Sequence, residues 1–529
     1  MRLSTPALPM QFRRKPLVTL GFLVFALVAA YEVSQFIITG NMVGLAFIAM
    51  AFVGGTIVIG ILNNWRNGLY FFIAWLLYED LIRKYMGNNM AIYFVKDFLG
   101  IVVYLAFFLA YRRKKLKTFR PPFFMPLMIF VWFGFMQVFN PASPTFFYGI
   151  LGMKLYFFYI PLLFIGYALI DTELDLRRFF FVNMGLSVMI VALGIVQSIL
   201  GSTFLNPEHP AEDLKELSTL YRIAPISGVV VYRPTSVFVS DGRFGHFLTV
   251  SWLLFFGFTG YLLLRRGKGR NFAFICVGMI AAASALCASR GVVVWNLFAA
   301  IAGSAAFLWG APWRQGQVIR VLRGLQRAAL GAALGLSILF ATFPTALLDR
   351  LAFYSETLDP RSSTNELANR GWDYPVKNLL AAFNYERWPY GYGIGTISLG
   401  GQYVTRILHV PPPTTSVESG YGSIIIEMGI GGIILWLVMS FSIVISGWNV
   451  ARKLKGTPWF PVAFVIVWYA FLLLFPLTYG GLQPYQDFVL NAYLWLLLGI
   501  LFRLPTVALS PQFSLGASSP QPSTKRWMI

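Results

Sequence analysis

The residues with the clearest chemical character are arginines and carboxylates gathered in a few polar segments between long apolar runs. Arg233 and Arg243 stand just ahead of an apolar run that starts near residue 244. Arg290 sits in Ala288-Ser289-Arg290-Gly291, a small-residue turn between two such runs. The long polar stretch from Leu347 to Tyr421 carries Arg350, Arg361, Arg370, Glu386, Arg387, Arg406, His409 and Glu418. Guanidinium groups stay charged and match phosphate oxygens in a two-pronged fork, so several facing one place would hold a phosphate or diphosphate. The same arginines could instead reach for lipid headgroups from the ends of membrane spans. Arg290 leans toward binding, because charge near hydrocarbon is costly unless paired or used, and a tight turn needs none.

Two further patterns have a chemical and a plain reading. Glu418 lies in Thr414-Thr415-Ser416-Val417-Glu418-Ser419-Gly420-Tyr421, at the start of an apolar run that contains Glu427 and Gly429. A carboxylate there can take a proton from a hydroxyl. Taken alone, however, Thr, Ser and Glu at a helix start favour a helix cap. His409 is a second candidate base, and a lone loop histidine is more often simply solvated. Trp388-Pro389-Tyr390-Gly391-Tyr392-Gly393-Ile394-Gly395-Thr396 places glycines at alternate positions behind a proline, which frees the backbone to turn and to offer N–H groups to a phosphate or sugar. The spacing is not that of a nucleotide-binding loop, and a plain turn is the favoured reading. His209, His246 and His409 have no metal-ligand spacing, no Cys–His cluster exists, and no nucleophile elbow of the Gly-X-Ser-X-Gly kind occurs. No metal and no cofactor is expected.

These residues must be positioned by membrane spans. Of the 529 residues 57% are hydrophobic and 12% charged, which excludes a soluble core and predicts an all-α, polytopic transmembrane bundle of about 12–14 spans. Runs near 17–38, 42–62, 68–82, 93–111, 122–139, 148–170, 179–200, 244–264, 271–289, 291–310, 328–346, 421–446, 461–479 and 486–503 are long and continuous rather than alternating, so helices are expected and not a barrel. The formal net charge is +21. It needs no nucleic acid to explain it, because the basic groups cluster between spans: residues 112–120, Arg177 and Arg178, residues 265–270, residues 314–327 and residues 452–455. With the spans as placed these all share one side, which the positive-inside rule makes cytoplasmic, with both termini. The segments 201–243 and 347–420 then lie outside. A short outer loop with Arg83 and Lys84, beside Glu79 and Asp80, breaks the rule. Arg13, Arg14 and Lys15 precede a first run read as a retained anchor, with no cleavable signal evident. Cys276 and Cys287 share one apolar run and read as core. The expected organisation is an N-terminal bundle 1–346, a large outer loop 347–420, C-terminal spans 421–504 and a Ser/Pro/Gln-rich disordered tail 505–529. Within the outer loop, Asp373 to Phe383 reads as a short amphipathic helix whose Leu379, Leu380 and Phe383 lie against the membrane surface. Few charges fall in mid-span and no twofold pattern is evident, which weighs against a transporter.

With these pieces placed, the chain resembles the O-antigen ligase and O-antigen polymerase superfamily of bacterial inner-membrane glycosyltransferases, over roughly residues 225–440. The matching segments are Arg233-Pro234-Thr235-Ser236 through Gly242-Arg243-Phe244-Gly245, then Ala288-Ser289-Arg290-Gly291, Asn369-Arg370-Gly371-Trp372, Tyr390-Gly391-Tyr392-Gly393-Ile394-Gly395, and Glu418 to Gly429. The resemblance implies a C-type glycosyltransferase fold and transfer of a glycan from undecaprenyl diphosphate to an acceptor at the outer face of the membrane. It implies no metal: arginines, here Arg233, Arg243, Arg290 and Arg370, neutralise the departing diphosphate. Expected partners are the lipid-linked glycan, membrane lipids and other polysaccharide-assembly proteins. Ligases of the superfamily carry a His-Asn pair nine residues before a Glu. Here that Glu is Glu427, and Glu418-Ser419 replace the pair, which looks more like the exopolysaccharide polymerase branch. The expectation is therefore a polymerase of lipid-linked repeat units with Glu418 and Arg290 catalytic and His409 a secondary base. A ligase to lipid A core or a protein oligosaccharyltransferase is the alternative.

Overall fold

The structure is a computed structural model that describes residues 42–87, 89–114, 119–207, 220–265, 267–312, 340–359, 369–398, 401–413, 417–481 and 484–508, with a few isolated positions besides. The runs expected at 17–38 and 328–346, the basic groups of residues 314–327 and the tail beyond 508 lie wholly or mostly outside the described residues.

The described chain is helical but for one three-residue hairpin. In order, the helices are α1 (Met42–Asn63), α2 (Trp65–Tyr85), α3 (Met90–Lys114), α4 (Phe124–Val138), α5 (Phe146–Phe157), α6 (Leu162–Leu169) and α7 (Glu173–Leu200). The antiparallel strands β1 (Tyr221–Ile223) and β2 (Val230–Tyr232) follow, with Tyr221 opposite Tyr232. Then come α8 (Asp241–Arg265), α9 (Arg270–Leu286), α10 (Arg290–Gly310), α11 (Pro344–Leu358), α12 (Tyr374–Ala381), α13 (Gly401–Leu408), α14 (Gly420–Lys453), α15 (Phe460–Leu472) and α16 (Phe488–Ala508). Among the described residues eight helices, with α5 and α6 counted as one, are long and apolar enough to cross a membrane, and three shorter apolar ones accompany them. The protein is thus a multi-pass membrane protein. Large apolar side chains such as Phe52, Trp132, Met136, Leu297, Ile301 and Leu308 point outward, as lipid-facing surfaces require.

Helices α8 and α16 form the buried centre. Two glycines let α6 approach α16 closely. A Cβ on Gly166 would lie 2.1 Å from the Leu496 carbonyl oxygen, and one on Gly499 would lie 2.1 Å from that of Leu163. Small residues at a crossing are how helices gain van der Waals contact where lipid offers no hydrophobic drive between them.

Ion pairs mark one end of the bundle. Asp171 holds Arg66 and, at 3.0 Å, Arg503, while Glu173 holds Arg177 at 2.7 Å and Arg265 at 3.1 Å. The Gly456 N–H donates to Gly310 O nearby. Groups expected on one side, Arg177, Arg265 and Lys455, therefore do share an end. Arg503 also secures the last turn through Ile170 O, and α16 runs past Pro505, where the sequence reads the tail as beginning, to Ala508.

The opposite end collects the other polar segments. Arg350 donates to Leu286 O, Ser198 O and Tyr232 O, tying α11 to α9, α7 and β2. The Glu356 carboxylate accepts from the N–H groups of Ile226 and Ser227 in the hairpin turn. Arg83 and Lys84 are a correction. They are not in a loop but in the last turn of α2, and both are buried, with Glu79 and Asp80 beside them.

Helix α14 is broken. Gly429 has φ +70°, and the segment after Trp388 fills the break. Tyr392 N donates to Ile426 O at 2.8 Å, Gly393 N to Glu427 O at 2.9 Å, and Ile430 N to Pro389 O at 3.2 Å. Gly391, Gly393 and Gly395 all have positive φ. Any Cβ on Gly391 or Gly395 would strike backbone at 2.5 or 2.3 Å. The alternating glycines are thus a requirement of close backbone approach. The N–H groups of Tyr392 and Gly393 serve α14 rather than a phosphate.

Candidate functional site

The candidate arginines come from three turns at the second end, each against a partner of its own. Arg233 follows β2, Arg243 lies in the first turn of α8, and Arg290 opens α10. The turns are strained: Ser236 and Ala288, both non-glycine, have φ of 51° and 49°. Such backbone persists only when the surroundings hold it, and it concentrates at functional sites. Ser236 is held on every side. Its hydroxyl donates to Ile190 O, its N–H to Gln197 Oε1, and its carbonyl accepts from Lys84 Nζ at 2.8 Å.

Arg233 pairs with Asp241, and its Nε is buried without an acceptor among the described residues. Arg243 pairs with Asp80 at 2.8 Å and lies over the Phe488 ring at 4.7 Å. Arg290 lies over the Phe353 ring at 5.2 Å, on the helix that carries Arg350. Cys287 and Cys276 are both buried, as expected of core residues. Burial holds Arg350 below its ordinary value.

Arg243 belongs to a larger network that the sequence reading missed. Lys96 pairs with Glu79 at 2.9 Å, Lys154 with Asp97 at 2.5 Å, and Asp80 also meets Arg83 at 3.4 Å. The cations ring two aromatic side chains: Lys96 Nζ lies 3.1 Å from the Tyr93 centroid and 4.6 Å from that of Phe488, and Lys154 lies 4.6 Å from Tyr93. Asp487 accepts from Val489 N and Leu490 N at the start of α16, and its other oxygen is 3.4 Å from His246 Nδ1. Few charges fall within the described spans, but those that do have partners: Lys96 and Asp97 on α3 and Lys154 on α5 stand inside apolar helices. Their runs are apolar enough on average to hide single charges, and partners on other helices do not show in sequence.

Glu418 stands in a second cluster. The cap of α14 is Ser419, whose hydroxyl accepts from Gly422 N, so Glu418 is not the cap. Its exposed carboxylate accepts from Tyr374 OH, and its own N–H donates to Asn378 Oδ1 at 3.2 Å. Both partners lie on α12, at the place where the sequence predicts a short helix. Leu379 packs on the core, Leu380 is exposed, and Phe383 meets Trp388 edge to face. His409 is exposed beyond α13 with φ 56°. Arg370 lies in a π-helical turn, Asn369–Asp373, and its side chain is outside the described residues, as are Thr414, Thr415, Ser416 and the side chain of Arg406.

The two clusters are joined through the chain. Gly481 lies against the Glu418 carbonyl, and Phe488, seven positions on, lies under Arg243. Seven residues span at most about 25 Å. Glu427, nine residues after Glu418, is fully buried and accepts from Tyr156 OH at 2.8 Å and Ile397 N at 3.3 Å. A narrow apolar cavity beside it is lined by Phe130, Tyr156, Trp436, Tyr485 and Trp495. Among the described residues no group of His, Cys, Asp and Glu is arranged to hold a metal. No protein-family model matches the chain, and no curated protein or solved structure is similar to it.

Proposed function

We propose that the chain is a membrane glycosyltransferase that joins glycan units carried on a polyprenyl diphosphate, with Arg233, Arg243 and Arg290 receiving the diphosphate. The observation that carries this reading is the buried Arg233 Nε, which has no acceptor among the described residues, three positions before the strained Ser236. An anion with several oxygens supplies what that donor lacks. The bilayer reaches this end of every span, so a lipid-borne substrate arrives without leaving the membrane.

In this reaction an acceptor sugar hydroxyl attacks the anomeric carbon of the donor sugar. Glu418 takes the hydroxyl proton as the new C–O bond forms. The bond from the anomeric carbon to the diphosphate oxygen breaks, and the pair of electrons leaves on the prenyl diphosphate, whose charge the arginines offset. The favoured acceptor is a growing glycan, which makes the protein a polymerase of repeat units. Transfer to lipid A core or to protein is the same chemistry with another acceptor. In this reading the site faces outward from the bacterial inner membrane and both termini lie in the cytoplasm.

The test is elongation of lipid-linked glycan by the purified protein in detergent. Wild type is expected to elongate, and Arg290→Ala to lose at least about 100-fold in rate while still inserting and melting normally. Full-length polymer from that variant would refute the mechanism. Deleting the gene separates polymerase from ligase: lipid-linked single repeats accumulate in the first case and unattached long polymer in the second. A second reading, a transporter of lipid-linked glycan, is favoured by the buried Lys96 and Asp97 on α3 and by the break in α14. Vesicles in which the protein moves glycan across the bilayer without extending it would establish that reading instead.

A further inference from the structure

We infer that the surface around Glu418 is a binding subsite for a neutral glycan, with Trp372 as its stacking platform. Three segments meet there: the turn and helix from Trp372 to Asn378, the residues around Glu418, and Tyr479 to Gly481. Tyr374 donates its hydroxyl to the Glu418 carboxylate, Asn378 receives the Glu418 N–H, Tyr479 OH donates to Trp372 O at 3.5 Å, and Gly481 closes the circle against the Glu418 carbonyl. Trp372 is 70% exposed although it stands among these contacts, and nothing within the described chain covers its ring.

The chemistry of this patch is that of a polyol receptor. The apolar C–H face of a pyranose packs on an aromatic ring, while its hydroxyls donate to a carboxylate and exchange hydrogen bonds with amide and phenol groups. A lipid surface is the competing occupant for an exposed tryptophan. An exposed carboxylate bonded to a phenol at the centre of the patch disfavours it, because burying that charge among acyl chains is costly. Glu418 would thus touch the acceptor glycan as well as take its proton. The inference rests on the glycosyl-transfer reading only for which glycan arrives, and not for the existence of the subsite.

The experiment uses the full chain in lipid nanodiscs and two probes. One is the oligosaccharide released by mild acid from the lipid-linked glycan pool of cells that carry the gene; the other is farnesyl diphosphate. Binding of each is followed by saturation-transfer NMR and titration. Wild type is expected to bind the oligosaccharide, Trp372→Ala to weaken it about tenfold, and Trp372→Phe to restore part of the loss. Tyr374→Phe, which keeps the ring, is expected to weaken it less than Trp372→Ala. Farnesyl diphosphate binding should be unchanged in all three. Wild type that ignores the oligosaccharide overturns the subsite, and so does Trp372→Ala that binds it as wild type does. Trp372→Ala that keeps glycan binding but sits less firmly in the bilayer makes Trp372 a lipid anchor, and also overturns it. Wild type that binds the oligosaccharide but not farnesyl diphosphate overturns the diphosphate reading and leaves the subsite standing.

Discussion

Replacing Asp80 by Asn isolates the energetic role of the ion network beneath Arg243. Asp80 is 1% exposed and lies 2.8 Å from Arg243 and 3.4 Å from Arg83. At an effective dielectric of about 20 a unit pair at that closer distance attracts by roughly 6 kcal/mol, part of which offsets desolvation. Removing one partner of a buried pair typically costs about 3–5 kcal/mol, because the other charge is left uncompensated. The Arg243 side chain keeps 20% exposure, which places the expectation near the lower value, about 3 kcal/mol. The assay is denaturant titration in detergent of wild type, Asp80→Asn, Arg243→Gln and the double variant. The double variant should recover most of the loss, giving a coupling of about 2–3 kcal/mol. A coupling below about 0.5 kcal/mol, or a double variant less stable than either single one, would show that Asp80 and Arg243 do not stabilise each other as argued.

Three other outcomes are expected. Gly499→Ala should push α6 from α16 and lower stability by about 1–3 kcal/mol, read as an earlier melt; an unchanged melt would contradict the close crossing. Glu427→Ala leaves the Tyr156 hydroxyl and the Ile397 N–H without their acceptor, at about 1–3 kcal/mol each, whereas Glu427→Gln keeps an acceptor and should cost less. Equal loss in the two variants, measured by thermal unfolding, would contradict that role. The Ser227 side chain and the N–H groups of Ile226 and Ser227 hold the Glu356 carboxyl below its ordinary value of 4.5. The folded state therefore prefers the ionised form: its stabilising effect is complete above that value and fades as the pH falls through the lower folded one. Protection of the Ile226 and Ser227 amides, taken relative to intrinsic exchange at the same pH, should fall on acidification in wild type and be low at all pH in Glu356→Ala. Exchange that ignores the substitution would remove Glu356 as the clasp of the hairpin.

Much of the architecture could be read directly because lipid imposes strong rules. Continuous apolar runs mark spans, and loop arginines sort to one side, so Arg177, Arg265 and Lys455 could be placed together before any coordinates existed. Two features escaped for a common reason: they depend on partners distant in the chain. Lys84 looks like a stray charge in a loop until Thr235 and Ser236 are seen to receive it. Lys96 and Lys154 look like accidents within apolar stretches until Glu79 and Asp97 appear on neighbouring helices. The cap of α14 was legible only as a group of adjacent polar residues, because sequence does not tell which of Glu418 and Ser419 turns back onto the helix. Ser419 does so, since a short hydroxyl reaches Gly422 N directly. Glycine spacing near Tyr390 was visible, but its purpose was not, because the break it fills lies over thirty positions away.

The junction at Gly429 constrains how any substrate can approach. If the segment from Pro389 to Gly393 lifted away, the carbonyls of Ile426 and Glu427 and the amide of Ile430 would be stranded. In a setting without water each stranded group costs several kcal/mol. That piece of chain is consequently a fixed keystone and not a hatch. On the proposed reading, a substrate reaches Glu418 by another route, with the wedge itself staying put.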